Sequence, residues 1–203
     1  MEDILVYLTP LDIINACLET TGEVPLNSAD ENHPYAAAIQ RLISTCNLRT
    51  QAKGWWFNKE HLKLPPETTS REIYVPADVL ALDTQSAQKQ YSIRGRRLYD
   101  TAKSTYKFDH DVTVAIIRLL EFTDLPYLAQ DLVQSEVVVR FVESYDADAS
   151  RIQQVRMDNQ EAYRACMAEH IRNVNANVLH TGGTGVTNAA LISPGFYRGL
   201  RGY

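Results

Sequence analysis

Lys53-Gly54-Trp55-Trp56-Phe57-Asn58 is the point at which this chain changes period. Before it, Ile39, Leu42, Ile43 and Cys46 recur at the spacing of one helical face. After it, His61-Leu-Lys-Leu64, Glu72-Ile-Tyr-Val75 and Val79-Leu-Ala-Leu82 are short apolar or alternating runs broken by Pro65-Pro66, Pro76 and Asp83, the pattern of strands. Gly54 suits the helix stop, because glycine alone takes a positive φ without a Cβ penalty. Trp55, Trp56 and Phe57 beside it are large apolar anchors for packing helices onto the β region.

Working outward, the upstream helix is expected over 34–53, opened by Pro34. A shorter one precedes it over 10–21, with Thr9-Pro10 as start, Leu11, Ile14, Cys17 and Leu18 as stripe and Gly22 as stop. Downstream, Tyr91-Ser-Ile-Arg94 and Arg97-Leu-Tyr99 flank Gly95 as a hairpin, and the β-branched run Val112 to Leu120 reads as a further strand. Hardly any link in this stretch is long enough for a helical crossover, so the β region over 55–121 should be mostly antiparallel. Helices return over 126–145, with Leu125, Leu128, Leu132, Val139 and Val142 inward, and over 148–173, with Ile152, Val155, Ala162 and Cys166 inward and Asn159 interrupting the stripe. The fold class is therefore α+β: a helical bundle from N- and C-terminal helices, a central mostly antiparallel β region, and an extended C-terminal arm. Residues 1–176 form the body and 177–203 the arm.

The arm is rich in Gly, Thr, Asn and Ala, too poor in periodic apolar residues for a core of its own. Leu191, Phe196, Tyr197, Arg198, Arg201 and Tyr203, with Arg172 ahead of them, suit docking onto another subunit. Residues 171–203 carry three arginines and no acid, net +3, against −8 for the rest of a chain whose total is −5. A mildly acidic body repels nucleic acid, which argues against specific DNA binding. With 203 residues and 45% apolar content, the chain can bury a core as one domain or two packed subdomains. No window approaches the roughly 18 apolar residues of a membrane span, and acidic Met1-Glu2-Asp3 is unlike a secretory signal. Cys17, Cys46 and Cys166, odd in number and set in helical runs, read as buried thiols.

No constellation asks for catalysis, a cofactor or a metal. Asp109-His110-Asp111 reads as a polar turn, and Gly182-Gly-Thr-Gly185 lacks the Lys-Ser or Lys-Thr of a phosphate loop. Glu121, Asp124 and Asp131 are the acids from which a glycoside hydrolase would need a pair at a defined separation, which sequence cannot supply.

The order of elements, with Gly22-Glu-x-Pro25, the Lys53 to Asn58 motif, Tyr99-Asp100, Phe108-Asp109, Val112 to Leu119, Asp124-x-Pro126 and Arg140-Phe141, resembles the tail tubular A proteins of short-tailed bacteriophages from about Thr9 to His170. That resemblance implies a virion protein assembled in the host cytoplasm. It implies a dodecameric head-to-tail adaptor between the portal and the nozzle built from tail tubular protein B, contributing to the tail-fibre site. It also implies a ring surrounding the DNA exit channel; such a channel should not grip DNA, since every phosphate contact raises friction as well as affinity, and no membrane partner is expected. A ring needs two different, complementary faces on each subunit, for which Glu161, Arg164, Glu169 and Arg172 are candidates. The glycine-rich arm departs from the family pattern. Two other readings are a tail-associated hydrolase of host surface glycan and a non-viral helical scaffold.

Overall fold

The computed structural model describes residues 7–29, 31, 33–82, 90–145 and 148–180, with side chains as far as residue 174. The fold is α+β, as the sequence indicates. In chain order the elements are α1 (Pro10–Thr21), α2 (Ala36–Gln51), β1 (Lys59–Leu64), β2 (Val79–Leu82), β3 (Tyr91–Arg94), β4 (Arg97–Asp100), β5 (Val112–Arg118), a 3-10 turn (Phe122–Asp124), α3 (Tyr127–Tyr145) and α4 (Ala149–His180). They divide into a helical unit, Met1–Thr50 with Glu121–Arg172, and a β unit, Gln51–Leu120 with Asn173–Tyr203.

In the helical unit, α1 begins with a capping box. Asp12 N–H donates to Thr9 Oγ1 at 3.3 Å while Thr9 N–H donates to Asp12 Oδ2 at 2.7 Å. Gly22 closes the helix at φ 74°, where its N–H and that of Glu23 reach back to the last carbonyls. Ile13, Ile14, Cys17 and Leu18 are fully buried, and α1 packs on α3. On α2 the buried line is Ala36, Ile39, Ile43, Cys46 and Thr50, whose Oγ1 donates to Glu136 of α3 at 3.0 Å. On α3, Ala129, Val133, Val137 and Phe141 join Leu132 and Val142 inside, whereas Val139 is half-buried; the helix presents a broader face than the predicted residues trace. Asn159 occupies a stripe position of α4 because its Nδ2 donates to Ser135 Oγ on α3 at 2.9 Å. α4 passes the predicted end at Asn173 and the predicted start of the arm at Asn177, since no glycine or proline intervenes before Gly182.

In the β unit, β5 is the central strand of an antiparallel sheet ordered β1-β5-β2, running in register from Lys59↔Ile117 to Leu64↔Val112. A bulge between Val79 and Ala81 interrupts β2. β3 and β4 form a second, two-stranded sheet, with Ile93↔Leu98 and Arg94↔Arg97 paired. Leu64, Ile73, Val75, Leu98, Phe108, Val112, Val114 and Ile116 form the core of this unit. Trp55-Trp-Phe57 is a turn rather than the start of a strand. Asn58 holds it: its Oδ1 accepts from Trp55 N–H at 2.8 Å and its Nδ2 donates to the carbonyls of Gln51 and Arg118, both at 3.0 Å. Residues 72–75 are not a ladder strand; Glu72 bridges Lys107 and Tyr74 bridges Arg97, with Ile73 and Val75 inward. β5 stops at Arg118 instead of Leu120, because the Gln51 side-chain amide takes both backbone groups of Leu120, each at 2.8 Å.

Candidate interaction surfaces

The outward face of the β unit is built by strand alternation. Leu98 and Asp100 of β4 point inward, which turns Arg97 and Tyr99 outward opposite Arg94 and Ser92 of β3. The connecting pair Gly95 and Arg96 has φ of 57° and 61°, as a two-residue hairpin turn requires. A non-glycine residue in that region is disfavoured by roughly 1–2 kcal/mol. Arg96 is tied down in compensation: its carbonyl accepts from Val75 N–H at 2.9 Å and its Nη2 donates to Val75 O at 3.2 Å.

Across this face, Arg94 Cζ lies 3.8 Å above the Tyr99 ring centroid and Arg97 Cζ 4.5 Å above that of Tyr106, while the two tyrosines sit 4.8 Å apart. Arg97 also pairs with Glu72 at 2.8 Å, and Tyr74 Oη donates to the same carboxylate at 3.1 Å. That bond and the Glu72 charge raise the Tyr74 phenol above its ordinary pKa, although the ring is 55% exposed. Arg94 and Arg96 at the tip, and Lys103 and Lys107 nearby in sequence, are exposed, and among the described residues none is paired with a carboxylate. This cation–π arrangement was missed from sequence. Its signal was present in Arg94-Gly-Arg-Arg97 at a hairpin tip followed by Tyr99 and Tyr106.

The helical unit has the opposite character. It carries 17 Asp and Glu against 7 Lys and Arg, net −10, whereas Gln51–Leu120 carries 8 against 11, net +3. Dividing the chain at His170 conceals this, because basic residues 51–120 are nested between two acidic segments. Asp131 on α3 is half-buried, and burial followed by the charge of Glu161 on α4 raises its carboxyl pKa. No cation of the described chain pairs with either acid.

The residues predicted from sequence are dispersed. Arg172 is exposed and ion-paired with Glu169 at 2.7 Å, one turn away. Leu191, Phe196, Tyr197, Arg198, Arg201 and Tyr203 lie outside the described residues. Gly54 has φ 75°, Trp55 is 2% exposed, and Trp56 and Phe57 are half-buried with their rings edge-on at 5.0 Å. Glu161 and Arg164 are exposed and Glu169 half-buried. Asp109, His110 and Asp111 are exposed, with Arg71 on Asp109 and Lys63 on Asp111. Glu121 and Asp124 are exposed at the 3-10 turn. Among the described residues no group of three His, Cys, Asp or Glu is placed to hold a metal, and no helix is long and apolar enough to cross a membrane. Cys17, Cys46 and Cys166 are buried, and none of the three is in a disulfide. Burial, then the neighbouring Cys46, pushes the Cys17 thiol up to about 12; burial and then Glu136 push Cys46 up to about 11.

A protein-family model described as tail tubular protein matches residues 11–176. Tail tubular protein A of Klebsiella phage KP34 is 27% identical over 165 residues, which cover 80% of this chain and 87% of that relative.

Proposed function

The chain belongs to the tail tubular protein family, and from that premise we propose that it is a structural virion protein acting as the head-to-tail adaptor of a short-tailed phage. In this reading identical copies close into a dodecameric ring. The ring is seated between the portal and the nozzle formed by tail tubular protein B, contributes to the fibre site and surrounds the path of the ejected DNA. Assembly takes place in the host cytoplasm. The observation that carries the proposal is the family match, which covers residues 11–176 and so takes in helical segments on both sides and all of the intervening residues 51–120, and not one motif alone.

The physical features accord with a part that assembles rather than reacts. Charge is segregated into an acidic helical unit and a basic β stretch, and a ring of identical subunits is built from two different, complementary surfaces. The Gly54 to Phe57 corner serves as a structural anchor, and residues 177–203, without an acid, serve as a docking element. No observation favours glycan hydrolysis.

The deciding experiment mixes the purified full chain with portal particles and follows mass and symmetry by native mass spectrometry and electron microscopy. A twelve-fold ring bound to the portal is the expected result. A chain that stays monomeric with and without portal overturns the adaptor reading. A variant lacking 178–203 should retain the circular dichroism of the intact chain while binding portal more weakly.

A further inference from the structure

We propose that the cationic tyrosine face of the β unit, centred on Arg94, Arg96, Tyr99 and Tyr106, is one half of the contact between neighbouring copies, and that Asp131 and Glu161 on the helical unit of the next copy are the other half. This rests on the ring reading above and specifies which surfaces meet. Four observations support it.

The first is the segregation of charge, −10 on the helical unit and +3 on residues 51–120. Two copies meeting by like units repel, whereas the helical unit of one attracts the β unit of another, so the contact is directional as a closed ring demands. The second is the state of the arginines. A guanidinium stacked on a tyrosine has already lost much of its rotational freedom, and its N–H edge remains available to a carboxylate in a forked geometry. Arg94 is held in this way at 3.8 Å from Tyr99 with no carboxylate of the described chain on it. The third is the turn. Arg96 sits at φ 61°, where glycine would be less strained, so the charge at the tip is kept at a cost in backbone energy.

The fourth observation lies on the other side of the contact. Asp131 on α3 is half-buried and feels the charge of Glu161 on α4, which is exposed, and among the described residues no cation is paired with either. A half-buried carboxylate with a second acid near it disfavours the isolated subunit and favours any state that brings a cation to the pair. An arginine from the neighbour supplies one. Tyr74, 55% exposed beside Glu72 and Arg97, adds amphipathic area of the kind enriched at protein interfaces.

The test uses the full chain, with assembly read by sedimentation velocity and native mass spectrometry. Arg94→Glu with Arg96→Glu reverses the tip at two exposed side chains. It should weaken self-association about tenfold or more, with the circular dichroism of the wild type retained and the thermal midpoint lowered only by the lost Arg96–Val75 bond. Adding Asp131→Asn and Glu161→Arg to the same chain should restore assembly, because one acid is then neutral and the other has become a cation facing the new glutamates. Wild-type association should also weaken as salt is raised from about 0.05 to about 0.5 M. Undiminished assembly of the tip variant, or failure of the four-fold variant to recover although folded, overturns the proposal. If the four-fold variant does not fold, Asp131→Asn with Glu161→Gln takes its place and should lower association in the otherwise wild-type chain; unchanged association overturns the proposal. Loss of retention on a duplex DNA column by the tip variant, with assembly intact, assigns the face to nucleic acid and likewise overturns it. The wider adaptor reading is tested separately: it stands if the tip variant still forms rings on portal, and falls if the wild type forms none.

Discussion

Replacing Gly54 by alanine separates two costs that usually arrive together. The residue sits at φ 75°, and a Cβ built there meets Ile117 Cδ1 at 2.8 Å, Lys59 Cε at 3.0 Å and Ile117 Cγ1 at 3.3 Å. The lysine end can swing aside. Ile117 is 8% exposed and in register with both Lys59 and Ala81, so it yields only by leaving its rotamer. The backbone component is roughly 1–2 kcal/mol for an L-residue in the left-handed region, and the displaced rotamer adds about 0.5–1.5 kcal/mol. A stiffer unfolded chain returns about 0.4–1 kcal/mol. The expected loss is therefore about 2 kcal/mol. Gly95→Ala is the control, because φ is 57° there and nothing lies within 4 Å of its Cβ; it should lose about 1 kcal/mol or less. Ile117→Val removes the methyl at 2.8 Å, so Gly54→Ala combined with Ile117→Val should cost less than the two single changes added together. Urea unfolding followed by tryptophan fluorescence reads this directly, since Trp55 and Trp56 are both in the β unit. Equal losses at 54 and 95, with strict additivity in the double variant, would refute the packing argument.

Two further outcomes follow from the buried titratable groups. The three buried cysteines should resist an aromatic disulfide reagent at about pH 8 in the native chain and react fully in denaturant, because the thiolate is the reactive form and burial opposes it at Cys17 and Cys46; rapid native labelling would contradict their place in the core. Asp131 has its folded pKa raised, so its contribution to stability is complete below the ordinary carboxylate range and is lost as pH rises through the folded value. Asp131→Asn should accordingly raise the melting temperature of the unassembled chain at neutral pH and lose that advantage in acid; a variant that melts lower at pH 7 would show that the carboxylate is held by favourable contacts.

Local signals carried most of the fold. Thr9-Pro10 with Asp12, and Gly22 at the other end, fix α1 through contacts within a turn of its ends, so sequence suffices there. The hairpin around Gly95 was legible for the same reason. What failed depended on partners distant in sequence. Nothing near Trp55 announces that Asn58 will bind Gln51 and Arg118 and so turn the chain before β1. Nothing near Leu120 shows that a glutamine 69 residues earlier will end β5. The interaction face was only half legible for a related reason: the arginines at the hairpin tip stand in the sequence, but the pairing of Arg97 with Tyr106 arises only when the loop after β4 folds back. The charge contrast was concealed by taking net charge along the chain instead of over the units it forms.

The Gln51 amide pairs with both backbone groups of Leu120, and these two residues are the first and last of the β segment. The seventy residues from Gln51 to Leu120 are therefore a cassette whose entry and exit are fastened at one stitch. Closing so long a loop costs little more than closing one of half the length, because the entropy grows only with the logarithm of its size. Such an insert can lengthen, shorten or exchange its outer hairpins without altering where the chain rejoins the helices. Across relatives, variation should concentrate in those outer hairpins while Gln51, Asn58 and Leu120 preserve the junction.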